Sequence, residues 1–392
     1  MAITSYSARA AQIALFSIFT SFGMMVGLWA AAIPQLQTRL NLSADLLGLS
    51  IFCFGLGAVL ATFVVPKYIE RHQTRAVMTF GGCAMWFVFP FALIAPTIAT
   101  FMLLLAILGF FCGVLDTSMN SHAFTVEHHL NKPTLSLFHG GYSLGNVIGS
   151  GFAALILSLA VSFHFSVFAV AMSAVIALVW AKNYCYPNDA QSTTNATDVA
   201  TSSKRVPFAL IVVATLTGVS FFSEGAVGDW AGLFIRDEKS ASPTQTALSI
   251  GAFASGMTVA RFLGDRLRAR YAVLPLLCAS SALAAIMLMI FVFTPNATLA
   301  LIALAIAGLG YANVVPLLFV RAANIEGVSP ARGVSFAAGM GYASLLGGPA
   351  LLGYLAEHFG LFNAMFLVVI SAAILSFESG WQHRKSRVSS TD

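Results

Sequence analysis

The chain has 392 residues, of which 58% are hydrophobic and only 9% charged. Soluble globular proteins carry about 25% charged residues, so this composition excludes one and describes a protein that crosses a membrane many times. The formal charge of +5 reflects basic residues gathered at helix ends and does not point to nucleic acid.

The first apolar run, about 10–33, is long enough to cross about 30 Å of hydrocarbon. It is too long for a secretory leader and lacks a convincing cleavage site, so it reads as a retained helix. Runs at about 46–65, 76–95, 98–121, 135–160 and 163–184 complete a first set of six. A second set follows at about 207–234, 244–263, 271–293, 297–320, 333–356 and 359–379. None shows the alternation of a barrel strand, so the expected fold is all-α with twelve transmembrane helices. Between the sets, 187–206 is polar and rich in Ser, Thr and Ala; it cannot bury enough apolar surface to fold alone. We read it as a cytoplasmic linker between an N-terminal six-helix bundle, 1–186, and a C-terminal one, 207–392. The five cysteines lie mostly inside apolar runs without a C-x-x-C pair, which suits packing thiols rather than disulfides.

Loop charge orients the chain. With both termini in the cytoplasm, the outer loops hold only Arg39, Arg236 and Lys239 of the 20 Lys and Arg. The rest, Arg261 among them, fall at cytoplasmic ends or loops, as the positive-inside rule requires. The two halves also echo each other. Glu70-Arg71 with Arg75 recurs as Asp265-Arg266 with Arg270, Asp116 matches Asn313, and Gly141-Tyr142 matches Gly341-Tyr342, at offsets of 195, 197 and 200. Similar offsets at matching places indicate a duplicated, pseudo-symmetric bundle.

Asp116 stands out, because the run 103–119 is otherwise uncharged. A charge at membrane depth costs at least a few kcal/mol unless it meets water or a partner. Asn120 lies one turn on, along the same face. Gly109 and Gly113 precede them in a G-x-x-x-G pattern that lets a neighbouring helix approach closely.

Twelve spans, a central linker and an acidic-basic motif after the second and eighth spans resemble the major facilitator superfamily. That family's motif runs G-x-x-x-D-R-x-G-R-[RK]; here Pro66 stands at its first glycine, Gln73 at its second and Thr74 at the first of the basic pair, and Arg261 and Arg268 occupy the glycine places of the second copy. The runs 115–120 (LDTSMN), 138–145 (FHGGYSLG) and 224–230 (EGAVGDW) resemble the YbjJ-like group, related to the fucose permease-like carriers. So do Gly308, Gly310 and Pro316, and the stretch from Gly341 to Pro349. Where that group often carries Arg before the Ile-Pro closing helix one, this chain has Ala32.

The resemblance implies a secondary transporter working by alternating access. The expected cargo is a small polar, sugar-like solute, moved by proton-coupled symport across a bacterial inner membrane. Asp116 is then the first candidate for coupling or binding and Glu224 the second, with Asn120 and Asn313 as a hydrogen-bonding wall. Trp29, Tyr142 and Tyr342 are candidate aromatic walls, and His139 a switchable group at the start of helix five. Asp229 lies beside Trp230, where an interfacial anchor is an equal reading. Glu224 and Asp229 are five residues apart, about 140° around a regular helix, and converge only if the helix breaks. Glu70, Arg71, Arg75, Asp265, Arg266 and Arg270 are the candidate cytoplasmic gate.

His122, Glu127, His128 and His129 lie in an expected cytoplasmic loop without metal-motif spacing, so no metal is expected. No phosphate-binding G-x-x-x-x-G-K-[ST] or G-x-S-x-G elbow occurs, so neither an ATP-driven pump nor an enzyme is indicated, and no cofactor. The expected partners are a small solute, protons and the bilayer, for a monomer. Proton-driven efflux of amphipathic compounds and a non-transporting membrane receptor or scaffold are the alternatives.

Overall fold

A computed structural model of the chain describes residues 7–132, 134–187 and 206–388, without the side chains of 265–269 and 386–388. The first half builds α1 (Ala8–Leu40), α2 (Ala44–His72), α3 (Thr74–Leu93), α4 (Ile98–Leu130), α5 (Leu135–Ser158) and α6 (Phe163–Ala181). The second builds α7 (Phe208–Lys239), α8 (Pro243–Ala247), α9 (Ser249–Arg270), α10 (Val273–Phe293), α11 (Ala297–Tyr311), α12 (Val314–Ala323), α13 (Pro330–Phe359) and α14 (Leu361–Val388). The fold is all-α. Most of the expected linker lies outside the described residues.

Local chemistry sets the ends of these helices. The Ser7 side chain accepts from the Ala10 N–H at the start of α1, and Asn41 closes that helix in the left-handed region at φ 49°. Thr97 and Thr100 form a reciprocal capping box at α4, and Ser242 and Gln245 another at α8. Eleven helical stretches among the described residues are long and apolar enough to cross a membrane. The stretch 243–264 counts once, α8 and α9 being joined at Leu248; α11 and α12 likewise form one span. The remaining expected span, α13, is 30 residues long, but six glycines dilute its apolar character.

Three expected boundaries shift. Residues His122 to His129, expected in a loop, continue α4 to Leu130, because His122, Ala123 and Val126 are fully buried and the ring of His129 stacks on Tyr186 at 4.0 Å. The tenth span breaks at Ala312 and Asn313. Pro316 lacks the N–H that would bond to the carbonyl of Ala312, and its ring crowds that turn. Finally, α7 stays helical through Arg236 and Lys239, which therefore leave the expected loop. Lys239 Nζ binds the carbonyls of Val292 (3.0 Å) and Thr294 (2.6 Å), closing the end of α10. Arg39 does the same for α3, through Leu93 (2.9 Å) and Ala95 (2.8 Å). Cations at helix C-termini satisfy orphan carbonyls and meet the negative end of the dipole.

Within the first half, α1 packs on α5, α2 on α4, and α3 on α4 and α6. In the second half the matching contacts are α7 with α13, α9 with α11, and α10 with α11 and α14. The repetition reaches single atoms. A Cβ on Gly57 would fall 2.0 Å from the Ala106 carbonyl oxygen, and one on Gly109 1.9 Å from that of Phe54. Each partner recurs 199 positions later: Gly256 would meet the Ala305 oxygen at 1.8 Å, and Gly308 that of Phe253 at 1.9 Å. Gly113 adds to the first crossing, lying against Ala58 and Ala61, so the G-x-x-x-G pattern of α4 is spent on α2. Without side chains at these points the backbones come into direct contact, which is how helices associate in lipid.

The halves meet along α5 with α9 and α2 with α13, with α1 against α7 between them. At the expected outer end these seams are closed by polar contacts. Arg236 reaches the Pro34 carbonyl (2.9 Å) and Gln37 Oε1 (2.6 Å). Glu357 accepts the Ala44 N–H (2.8 Å), capping α2 from the opposite half. Ser150 donates to the Ala247 carbonyl (2.6 Å) and accepts the Gly251 N–H (3.1 Å).

Two mutational outcomes follow from this packing. Gly109→Ala and Gly308→Ala each force a Cβ into a carbonyl, costing about 1–3 kcal/mol or more. Gly151→Ala, which has nothing within 4 Å, is neutral. Thermal unfolding followed by size-exclusion chromatography in detergent reads the difference as a lowered midpoint for the first two alone.

Candidate functional site

α4 holds Asp116 in its middle, and Asn120 one turn on binds it directly. The Asn120 Nδ2 donates to the Asp116 carbonyl (2.9 Å) and to its Oδ1 (3.1 Å). Asp116 lies deep among protein atoms yet keeps partial exposure. Tyr142 on α5 and Tyr342 on α13, one tyrosine from each half, lie near enough to feel its charge. Tyr342 is 54% exposed and His139, near the start of α5, is exposed as well. Helices of both halves thus bring accessible polar groups into the neighbourhood of Asp116.

Phenylalanines back the tyrosines. Phe22 lies 5.4 Å from the Tyr142 ring, and Phe221 lies 5.9 Å from the Tyr342 ring. The arrangement repeats about the pseudo-two-fold axis, 199 or 200 positions apart.

Glu224 lies midway along α7, half-buried, 3.6 Å from Arg261 Nη2. Its field also reaches Tyr142 on α5 and Tyr311 on α11. Arg261 continues into the first half, where Nη1 meets the His139 carbonyl (3.2 Å) and Ser143 Oγ (2.5 Å). α7 runs unbroken through Gly225 and Gly228, so Asp229 points elsewhere. Asp229 lies near the Trp29 side chain on α1. Trp230 is 1% exposed and Trp29 8%. The interfacial-anchor reading of this pair fails, because both indoles are packed inside the protein instead of at a lipid–water boundary.

Asn313 is 5% exposed and sits at the α11–α12 break, its Oδ1 against Gly264 of α9. Asn146 is 4% exposed and donates to the Tyr142 carbonyl (3.1 Å). Both are buried in helix contacts, unlike the exposed His139 and Tyr342. Of the candidate gate, Glu70, Arg71 and Arg270 are exposed and Arg75 half-buried, at the expected cytoplasmic end. The side chains of Asp265 and Arg266 lie outside the described ones. Glu127, expected in a loop, accepts the N–H groups of Thr134 (2.7 Å) and Leu135 (3.1 Å) and so holds the start of α5.

Sequence reasoning missed Arg261, Ser143 and Tyr311. An Arg within three residues of a span's end reads as a snorkelling or loop cation, yet this one turns inward. The usable signal was a charge standing where the gate motif has glycine.

A family model described as Major Facilitator Superfamily matches residues 13–325. The chain belongs to the Major Facilitator Superfamily. It is a multi-pass membrane transporter rather than an enzyme. Over 320 residues, 82% of each chain, it is 28% identical to an uncharacterised MFS-type transporter of Yersinia pestis. It is 23% identical over 367 residues to the membrane protein MosC of Rhizobium meliloti, covering 91% of this chain and 86% of that one. Solved structures of the same fold include a bacterial homologue of the human lysosomal transporter Spinster, in an inward-facing, unoccupied conformation. The match has a TM-score of 0.71 at 13% identity and covers 96% of this chain and 97% of that one. The nucleoside transporter NupG gives 0.73 at 12% identity (95% and 98%), and the E. coli fucose:proton symporter FucP gives 0.60 at 16% (94% and 98%).

This difference in exposure is directly testable. A membrane-impermeant maleimide, applied to protein in detergent, labels His139→Cys and Tyr342→Cys readily, while Asn146→Cys and Asn313→Cys stay unlabelled. Equal labelling of all four would mean that exposure does not separate these positions.

Proposed function

We propose that this facilitator-superfamily transporter moves a small polar, sugar-like solute together with protons. In this reading the units 1–186 and 207–392, joined by a cytoplasmic linker, rock about a midplane site in the inner membrane. Both termini lie in the cytoplasm, and the monomer is the working unit. Asp116 exchanges the coupling proton and binds solute hydroxyls together with Asn120. Tyr142 and Tyr342 offer aromatic faces, and Glu224 is a second polar contact. Asp229 and Trp29 belong to the outer closure. Glu70, Arg71 and Arg75 with Asp265, Arg266 and Arg270 form the cytoplasmic gate.

The observation that carries this reading is Asp116 itself: a carboxylate at membrane depth, unpaired by any cation among the described residues within salt-bridge distance, bonded to Asn120 and partly accessible. A purely structural carboxylate would be sealed against a cation or buried in a dry contact. That NupG is a nucleoside transporter and FucP a fucose:proton symporter supports the class of solute at the level of the fold alone. The phenylalanines behind both tyrosines favour a second reading, proton-driven efflux of amphipathic compounds, in which ring packing replaces hydroxyl recognition.

A proteoliposome screen with an internal pH dye tests both readings. The native chain acidifies the lumen when a monosaccharide-like substrate is supplied under an inward gradient. Asp116→Asn abolishes proton movement and keeps solute binding. Unchanged proton flux in that variant removes Asp116 from coupling, and a response only to hydrophobic cations moves the assignment to efflux. At the gate, Glu70→Ala shifts the population toward the inward-open state. Cysteine crosslinking across the cytoplasmic face measures it, and an unchanged yield rejects the gate.

A further inference from the structure

Arg261 joins three acceptors on two helices that belong to different halves of the protein. It projects from α9; its Nη2 lies 3.6 Å from the Glu224 carboxylate on α7, and its Nη1 binds α5 at the His139 carbonyl and Ser143 Oγ. Next to it, the Phe262 ring fills the space that a Cβ on Gly140 would occupy, with 2.5 Å to the nearest ring atom. Between them the two residues carry the α5–α9 seam inward from the Ser150–Gly251 contact at the expected outer end.

We infer that Arg261 is a positioning residue that makes the α5–α9 contact depend on the charge of Glu224. A guanidinium presents its donors in one rigid plane, so the side chain meets α5 and Glu224 together in a single placement. At 18% side-chain exposure it has little water of its own. While Glu224 is ionised, the cation has its counter-charge and stays between the halves. When Glu224 is neutralised, by a proton or by a bound cationic or hydrogen-bonding group, only the neutral oxygens of His139 and Ser143 remain. A cation left at this depth without its partner is strongly disfavoured, and the side chain turns away and lets go of α5. The other titratable groups that face Glu224 are Tyr142 of α5 and Tyr311 of α11. Neither is a cation, so neither replaces Arg261.

Among the described residues Glu224 makes no hydrogen bond to α5, and that makes the link separable from simple local packing. Hydrogen–deuterium exchange by mass spectrometry on the full chain in nanodiscs, without substrate, reads the 135–146 segment of α5. Glu224→Gln raises exchange there several-fold, and Arg261→Ala raises it at least as much. The double variant matches Arg261→Ala alone, because the effect of Glu224 travels through the arginine. Should Arg261→Ala not fold, Arg261→Lys, which engages one partner at a time, completes the same cycle. Unaltered exchange in Glu224→Gln overturns the inference, as does an additive double variant. The measurement involves no transport, so its failure leaves the proton-coupled reading of Asp116 standing, and failure of that reading leaves this link standing.

Discussion

A carboxylate midway along a lipid-crossing helix must keep water, a hydrogen-bond donor or a counter-charge beside it, and the interior of this transporter meets that demand in three different ways. Asp116 has the Asn120 amide and an accessible edge. Glu224 has Arg261. Asp229 lies near Trp29, in the contact between α1 and α7. Arg261 also binds α5 of the other half, so a group costly to bury is also one that holds the halves together. A side chain serving both ends cannot change its charge without a consequence for the contact it sustains.

The scaffold around these groups is a duplication, and it is most exact where chemistry leaves no latitude. At the α2–α4 and α9–α11 crossings, glycines meet carbonyl oxygens in the same register, 199 positions apart. Any side chain there separates the helices, so both copies keep none. Arg39 and Lys239 likewise close the ends of α3 and α10. They are two of the three cations that the loop-charge pattern left on the outer side. The third, Arg236, is held by Pro34 and Gln37. All three bind protein carbonyls or amides, which accounts for basic residues at the expected outer face, where the positive-inside rule disfavours them.

The halves part company at the site. Asp116 sits on an unbroken α4, whereas its counterpart Asn313 occupies a helix break before Pro316 and packs on Gly264. The second copy of the gate motif has Arg261 in a glycine place, and its guanidinium turns inward, whereas Pro66 of the first copy has no side-chain donor to offer. A duplicated frame therefore carries one set of charges, and the asymmetry leaves polar groups on α4 and α5 and a cation at the α5–α9 seam.

Composition and apolar runs alone determined that the protein is helical and crosses a membrane many times, because a lipid solvent leaves only helices able to satisfy their own backbone across these lengths. The same reasoning singled out Asp116, since a lone charge in an apolar run is costly in any packing, and the G-x-x-x-G of α4 as a crossing point. Tertiary structure alone decided which way each polar side chain turns. Asn313 and Asn120 look alike in sequence, yet one lies in a helix contact and the other against Asp116. Arg261 reads as an end-of-span cation until α5 and α7 are seen beside it, and Trp230 reads as an anchor until its burial is known. Sequence carries the cost of a charge in lipid, but Arg261 meets Glu224 of α7 and Ser143 of α5 only once folding brings those helices together.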